Sequence, residues 1–253
     1  MNTLRIVVAA AAVIVVAIAG INLLPAQGVG TGPTAPPSPT PGPTSTPTRT
    51  STPSPTVSLP PGVSLAPSGG LAMAPGTYLI EDPFPLRVTV TVGEGWTSWS
   101  GTRSDTAAFY KGSADPPNGV GFGVLIVDNL NADACDLAAG RLDPPLGSTP
   151  DDLANALADQ PMTEASTVTD VAMAGYNGRY LEYTMTGVAE RGCTDGQVLE
   201  RWPCRQALVG EHDKLWILDV DGVRLVIDAF SFPGTSDADH AEIQAIVDSI
   251  RIE

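Results

Sequence analysis

Glu211-His212-Asp213 sets an imidazole between two carboxylates. Such a grouping has the parts of a general base with an orienting acid, or of a cation site. The same letters suit a solvated loop ahead of a β-hairpin, which asks for no special geometry and is the preferred reading. His240 stands with Asp237, Asp239 and Glu242 and is read as part of a charged outer helix face. The 28 acidic residues keep open a two-carboxylate hydrolase of the glycosidase kind. Nothing in their spacing selects a pair, and no catalytic residue is assigned.

Three cysteines, Cys135, Cys193 and Cys204, allow one disulfide and one leftover thiol. Cys193 and Cys204 are near enough in sequence to close a local loop. Cys135 follows an expected strand and is placed to meet Cys193 at the same end of a sheet. There is no Cys-x-x-Cys and neither histidine is suitably spaced, so no metal site is expected. Of the four tryptophans, Trp216 lies inside a hairpin pattern and Trp96 follows Gly93-Glu94-Gly95, so both read as packing residues. Trp99 and Trp202 are the exposed candidates for a sugar or peptide surface. With His212 they make up the candidate binding residues.

Two glycine-containing stretches imitate known sites. Asp219-Val220-Asp221-Gly222 opens like a calcium loop but lacks the later ligands and the closing Glu. Gly119-Val120-Gly121-Phe122-Gly123 looks like part of a nucleotide loop, yet it has no P-loop lysine and sits in a strand-like run. Close backbone packing or a bulge explains it better. No Gly-x-Ser-x-Gly or His-Glu-x-x-His occurs, and no cofactor is expected.

The elements that would position these residues are unevenly marked. In Lys214–Phe232, Asp221-Gly222 separates two apolar, β-branched runs, which predicts a β-hairpin with a type I′ turn. After Pro233-Gly234, Thr235 or Ser236 can cap a helix whose first turn carries Asp237 and Asp239. Ile243, Ile246, Val247 and Ile250 give it one apolar stripe, destined for the sheet. Thr149-Pro150-Asp151-Asp152 predicts a second helix start, with a capping-box spacing and Leu153, Ala156 and Leu157 on its apolar face. Arg87–Val92, Val120–Val127 and Asn177–Met185 read as strands, with Tyr176-Asn177-Gly178 as a turn candidate. The expected fold class is α+β, an antiparallel β-sheet flanked by helices.

The chain of 253 residues divides into three. Residues 1–26 hold the apolar run Leu4–Leu24, long enough to cross hydrocarbon, with Arg5 ahead of it. This predicts a signal anchor or transmembrane helix with the remainder exported. Ala17-Ile18-Ala19 offers the alternative of a cleaved signal peptide and a secreted product. Residues 27–70 are rich in Pro, Thr and Ser, with Arg49 the only charge. They read as a disordered linker favouring polyproline II, a semi-rigid stalk rising about 3.1 Å per residue. Residues 71–253 hold all 28 acidic residues against eleven basic ones, a formal charge of −17. That balance argues against nucleic acid, whose binders need cations to displace counterions.

Several segments carry a resemblance: Phe84-Pro85-Leu86-Arg87-Val88-Thr89, Gly95-Trp96, Asn131-Ala132-Asp133-Ala134-Cys135, Leu215-Trp216-Ile217-Leu218-Asp219-Val220-Asp221-Gly222, Pro233-Gly234-Thr235 and Ile246-Val247-Asp248-Ser249-Ile250. In these the chain resembles a group of uncharacterised, membrane-anchored proteins of actinobacteria and related bacteria, over most of the exported domain. The resemblance implies no activity. It implies that Cys135 and Cys193 pair and that Cys204 is the departure. The hairpin and last helix also resemble the PsbP-like α/β/α sandwich. The resulting expectation is a membrane-anchored extracytoplasmic binding or sensing domain, non-catalytic, meeting the membrane through its N-terminal helix and a cell-surface ligand or protein through its body. The alternatives are an extracytoplasmic carboxylate-dependent hydrolase and a structural or protein-interaction domain at the cell surface.

Overall fold

The computed structural model describes residues 59–81, 83–99, 104–187, 195–196, 198 and 207–253. The expected membrane segment, most of the stalk, Trp202, Cys193 and Cys204 lie outside the described residues. Among the described residues no helix is long and apolar enough to cross a membrane.

The chain order is β1 (Val63–Leu65), β2 (Gly76–Ile80), β3 (Val88–Val92), β4 (Trp96–Ser98), β5 (Thr106–Lys111), β6 (Val120–Ile126), α1 (Pro150–Ala158), β7 (Thr163–Ala165), β8 (Thr169–Met173) and β9 (Tyr176–Met185). It continues with β10 (Asp195–Gly196), β11 (Ala207–Leu208), β12 (His212–Val220), β13 (Val223–Ser231), α2 (Asp237–Ser249) and β14 (Arg251–Ile252). Eight strands form one antiparallel sheet in the order β4-β5-β6-β13-β12-β9-β7, with β8 also on β9. Four form a smaller sheet, β1-β2-β3-β14, in which only β1 and β2 run parallel. The fold is α+β: mostly antiparallel sheets with two α-helices.

The centre of the large sheet is the expected hairpin. Asp221 and Gly222 sit at φ 52° and 87°, the two positive values a type I′ turn requires. The Gly222 N–H donates to Asp219 Oδ1 at 2.8 Å, so Asp219 closes the turn. Strand alternation then gives the sheet two apolar faces. On one face Phe122, Val124, Leu225, Ile227 and Leu218 pack under α2 and the small sheet, joined by Ile243, Ile246, Val247, Val88 and Val90. On the other, Leu125, Val226, Leu181, Leu215 and Ile217 meet Leu153, Ala154 and Leu157 of α1. A sheet covered on both faces explains why β12 and β13 read as apolar runs rather than clean alternations.

Both helices begin as their sequences predict. Thr149 Oγ1 accepts from the Asp152 N–H at 3.2 Å while Asp152 Oδ2 accepts from the Thr149 N–H at 3.0 Å, a complete capping box. Ser236, not Thr235, caps α2, accepting from the Asp239 N–H at 3.1 Å. Ala154 is buried on α1 beside Leu153 and Leu157, and Ala156 packs half-buried against the same core.

Three sequence expectations need correction. Val63–Leu65, inside the tract assigned to the linker, forms β1 and pairs with β2, so folded chain begins before residue 71. The turn placed at Tyr176-Asn177-Gly178 lies earlier, at Ala174-Gly175, whose φ values are 51° and 91°. Gly178 is inside β9, where a Cβ would collide with the Ile217 carbonyl of β12. The charged face of α2 is outward only in part: Asp237 and His240 are exposed, whereas Asp239 and Glu242 turn toward the sheet. Glu242 accepts from Trp96 Nε1 at 2.9 Å, and Lys111 Nζ bonds both Glu242 and Asp239, the latter at 2.9 Å. These contacts clamp α2 to β4 and β5.

Candidate functional site

Trp99 follows β4 at the edge of the large sheet, where its N–H continues the ladder to the Ala108 carbonyl at 2.7 Å. It is half-buried and meets the Tyr110 ring of β5 edge to face, with centroids 5.3 Å apart and planes at 70°. The two rings form a corner, and a pocket of about 470 Å³ opens beside it, also lined by Ser98, Gly70 and the Gly112–Asp115 turn. Small-molecule sites commonly occupy about 300–1,000 Å³. Among the described residues of the lining, Asp115 brings the one carboxylate.

The turn that walls this pocket is braced. Gly112 turns the chain at φ 66°, and Ser113 Oγ accepts from the Asp115 N–H at 3.0 Å. Val120 N–H donates to the Ser113 carbonyl at 3.3 Å, drawing the loop back onto the start of β6. A Cβ on Gly119 would lie 2.6 Å from the Asp115 carbonyl oxygen, so this close return depends on glycine. Thr235 Oγ1 donates to the Gly119 carbonyl at 2.9 Å, and the Gly234 N–H donates to the Pro117 carbonyl at 2.8 Å. Behind the rings, Ala114, Phe230 and Phe232 make a buried apolar cluster that both Trp99 and Tyr110 join. The wall formed by the Gly112–Asp115 turn is therefore held by the fold itself.

His212 is not in a loop: it is the first residue of β12. Alternation sends its neighbours Glu211 and Asp213 away from it, and both are buried, 3% and 2% exposed. Its partner comes from the adjacent strand, Glu182 of β9, whose Oε2 lies 3.0 Å from His212 Nε2. Glu182 also accepts from the Tyr180 hydroxyl. Burial first, and then the hydrogen bond to this carboxylate, hold the Tyr180 phenol well above its ordinary pKa. Tyr180 in turn lies against Trp216, with ring centroids 5.1 Å apart. Lys214, Trp216, Ser231, His240 and Gln244 line a small recess of about 40 Å³ between α2 and the same sheet face. This row offers little room for a ligand.

The remaining sequence candidates are dispersed. Trp96 is 1% exposed and packs edge to face with Phe122 at 5.4 Å, and Trp216 is 9% exposed. Gly121 marks close packing, since a Cβ there would lie 2.5 Å from the Phe109 carbonyl oxygen and from the Phe230 ring. Cys135 is half-buried with its Sγ 3.1 Å from Met162 Sδ. Among the described residues no three His, Cys, Asp or Glu side chains are placed to hold a metal ion.

Sequence reasoning singled out Trp99 and His212 but missed Tyr110, Asp115 and Glu182. It also missed Arg224. This residue is 7% exposed and donates to the carbonyls of Val127, Asp128, Gly147 and Thr149. Burial lowers its pKa against the opposing pull of Asp128 and Asp152. A second open pocket, about 400 Å³, lies beside it and the hairpin turn, with Asp128 in its lining.

No family model matches the chain, and no curated protein matches it. Solved structures with a similar arrangement include a protein from Bacteroides thetaiotaomicron, with TM-score 0.32 and 10% identity over 66% of this chain. The chain spans 45% of that protein's length. Cyanobacterial PsbP from Synechocystis has TM-score 0.38 and 14% identity, covering 75% of this chain and 99% of that one. LpqN of Mycobacterium tuberculosis, described as involved in cell envelope biogenesis, has TM-score 0.36 and 12% identity, covering 70% and 90%. The chain is loosely similar to these proteins, and at such scores the likeness assigns it no role.

Proposed function

We propose that this chain is an extracytoplasmic ligand-binding domain, tethered by its N-terminal apolar segment, whose site is the pocket beside Trp99. The observation that carries the reading is the Trp99–Tyr110 corner, 5.3 Å between centroids, opening on a braced pocket of about 470 Å³. Two aromatic faces with a few polar groups are the usual makings of a small-ligand site. The export half of the reading rests on the apolar run Leu4–Leu24 and the Pro-, Thr- and Ser-rich tract behind it.

Thermal-shift screening of the full-length chain tests the site. A ligand should raise the unfolding midpoint of the natural chain and leave Trp99→Ala unmoved. A screen that finds no such ligand, beside a reproducible hydrolytic activity, overturns the reading. Protease added to intact cells tests the placement: the domain should be digested, and a domain that survives intact inside refutes the export.

The same reading includes a cystine between Cys135 and Cys193, as extracytoplasmic proteins retain disulfides. Peptide mapping without reductant should recover a linked Cys135–Cys193 pair, and a linked Cys193–Cys204 pair would refute it.

A further inference from the structure

We infer that the pocket beside Trp99 takes an organic cation, an alkyl- or quaternary-ammonium group. This rests on the proposal that the pocket is the ligand site, and adds the chemical class of the ligand.

Three observations point the same way. The first is the corner itself. Trp99 and Tyr110 stand at 70° to one another and both line the cavity. An ammonium group seated in such a corner lies within about 6 Å of two ring centroids, the range in which the ring quadrupole attracts a cation. The second is Asp115, exposed and lining the same cavity. Among the described residues its carboxylate meets no cationic side chain, while its backbone N–H is engaged by Ser113 Oγ at 3.0 Å. The nearest basic residue in sequence, Lys111, is held by Glu242 and Asp239 of α2 and does not line the pocket. The third is the field. Eleven basic against 28 acidic residues beyond residue 70 leave a formal charge of −17, which draws cations inward and repels anions. A neutral sugar could stack on the same rings and donate a hydroxyl to Asp115, but it gains nothing from the field.

The experiment is a calorimetric titration of the full-length chain in a polyoxyethylene detergent, with tryptophan fluorescence as a second readout. The probes are choline, its neutral isostere 3,3-dimethylbutanol, and glucose. Choline should bind, with the isostere and glucose at least tenfold weaker. Asp115→Asn, at an exposed residue where folding is not at stake, should erase most of the preference of choline over the isostere. Trp99→Ala should abolish choline binding. If the isostere or glucose binds as tightly as choline in a Trp99-dependent way, the pocket stands as a ligand site and the cation inference falls. If choline does not bind, or binds equally well to the Asp115→Asn and Trp99→Ala variants, the cation inference is likewise overturned. The wider reading is then decided separately by the thermal-shift screen.

Discussion

Arg224→Met removes the charged residue that ties the long connection between β6 and α1 to the hairpin. Five N–H···O bonds go, to the carbonyls of Val127, Asp128, Gly147 and Thr149, at distances from 2.5 to 3.1 Å. Bonds from a charged donor are worth about 1.5–3 kcal/mol each, so a bare sum would be about 7–15 kcal/mol. Two effects reduce it. Burying the guanidinium is itself costly, as its lowered pKa records, and methionine escapes that cost. Thr149 also keeps a partner, since its carbonyl still accepts from the Leu153 N–H. The expected net loss is about 3–5 kcal/mol, because carbonyls left without a donor cost about 1–3 kcal/mol each where they stay buried. Arg224→Lys keeps the charge but offers one point of donation where the guanidinium spans four carbonyls, and should recover less than half. Urea unfolding followed by tryptophan fluorescence measures both. A midpoint for Arg224→Met that keeps the loss under about 1 kcal/mol at unchanged slope would refute the reasoning.

Other perturbations test the frame around the site. Gly121→Ala brings a Cβ to 2.5 Å from the Phe109 carbonyl oxygen and the Phe230 ring, and should destabilise by about 1–3 kcal/mol in the same urea assay. Thr149→Ala breaks the capping box and should cost about 1 kcal/mol. Asp239 is held below the ordinary carboxylate pKa, first by its hydrogen bond from Lys111 and then by Ser236. Its contribution is therefore complete above an unfolded value of about 3.9 and is lost as pH falls through the lower folded value. Lys111 is raised by Glu242 and then Asp239, so its contribution is complete below about 10.4 and is lost as pH rises through the higher folded value. Thermal midpoints of Lys111→Met should fall by the equivalent of about 1 kcal/mol or less at neutral pH and show flatter acid and alkaline limbs; limbs identical to those of the natural chain would disprove the clamp.

The elements that could be read in the sequence were those with local causes. Asp221-Gly222 can supply two positive φ values by itself, Thr149 and Asp152 satisfy each other's backbone, and the Ile243–Ile250 stripe needs only a sheet to lie on. Asn177-Gly178 has the same local look as a turn, but Gly178 is there for the approach of Ile217, a contact 39 positions away that no local pattern announces. Strand β14 is two residues long and exists only because β3 offers it an edge. The site follows the same division. Trp99 stood out by residue type. Tyr110 and Asp115 did not, because the pocket joins β4, β5 and the following turn, which come together only when the sheet forms. The possible grouping of His212 with Glu211 and Asp213 fails for a recoverable reason. Carrying the alternation of Leu215 and Ile217 back two positions puts Asp213 on their buried face and His212 on the other, so the three letters could not act together. Arg224 could have been noticed as a charge within Val223–Ile227, an otherwise apolar run.

The hydrolase alternative makes a demand that the binding proposal does not. Two-carboxylate chemistry needs two acids about 5–9.5 Å apart across one cleft, with one kept protonated. The pocket beside Trp99 has Asp115, the pocket beside Arg224 has Asp128, and the recess beside α2 has Lys214 and His240 but no acid. Asp213 and Asp228 are close in the sheet register but, like Glu211, are 2–3% exposed. Glu182 is accessible, yet it is already shared between Tyr180 and His212. Among the described residues, none of these three linings brings two acids together, so a hydrolase placed there would need a second acid that the lining does not supply. One carboxylate against two aromatic faces is enough to hold a cation. Asp115→Asn thus separates the two readings by its signature: a binding site loses selectivity for charge while still admitting a neutral isostere, whereas a hydrolase losing one of its acids loses turnover by orders of magnitude.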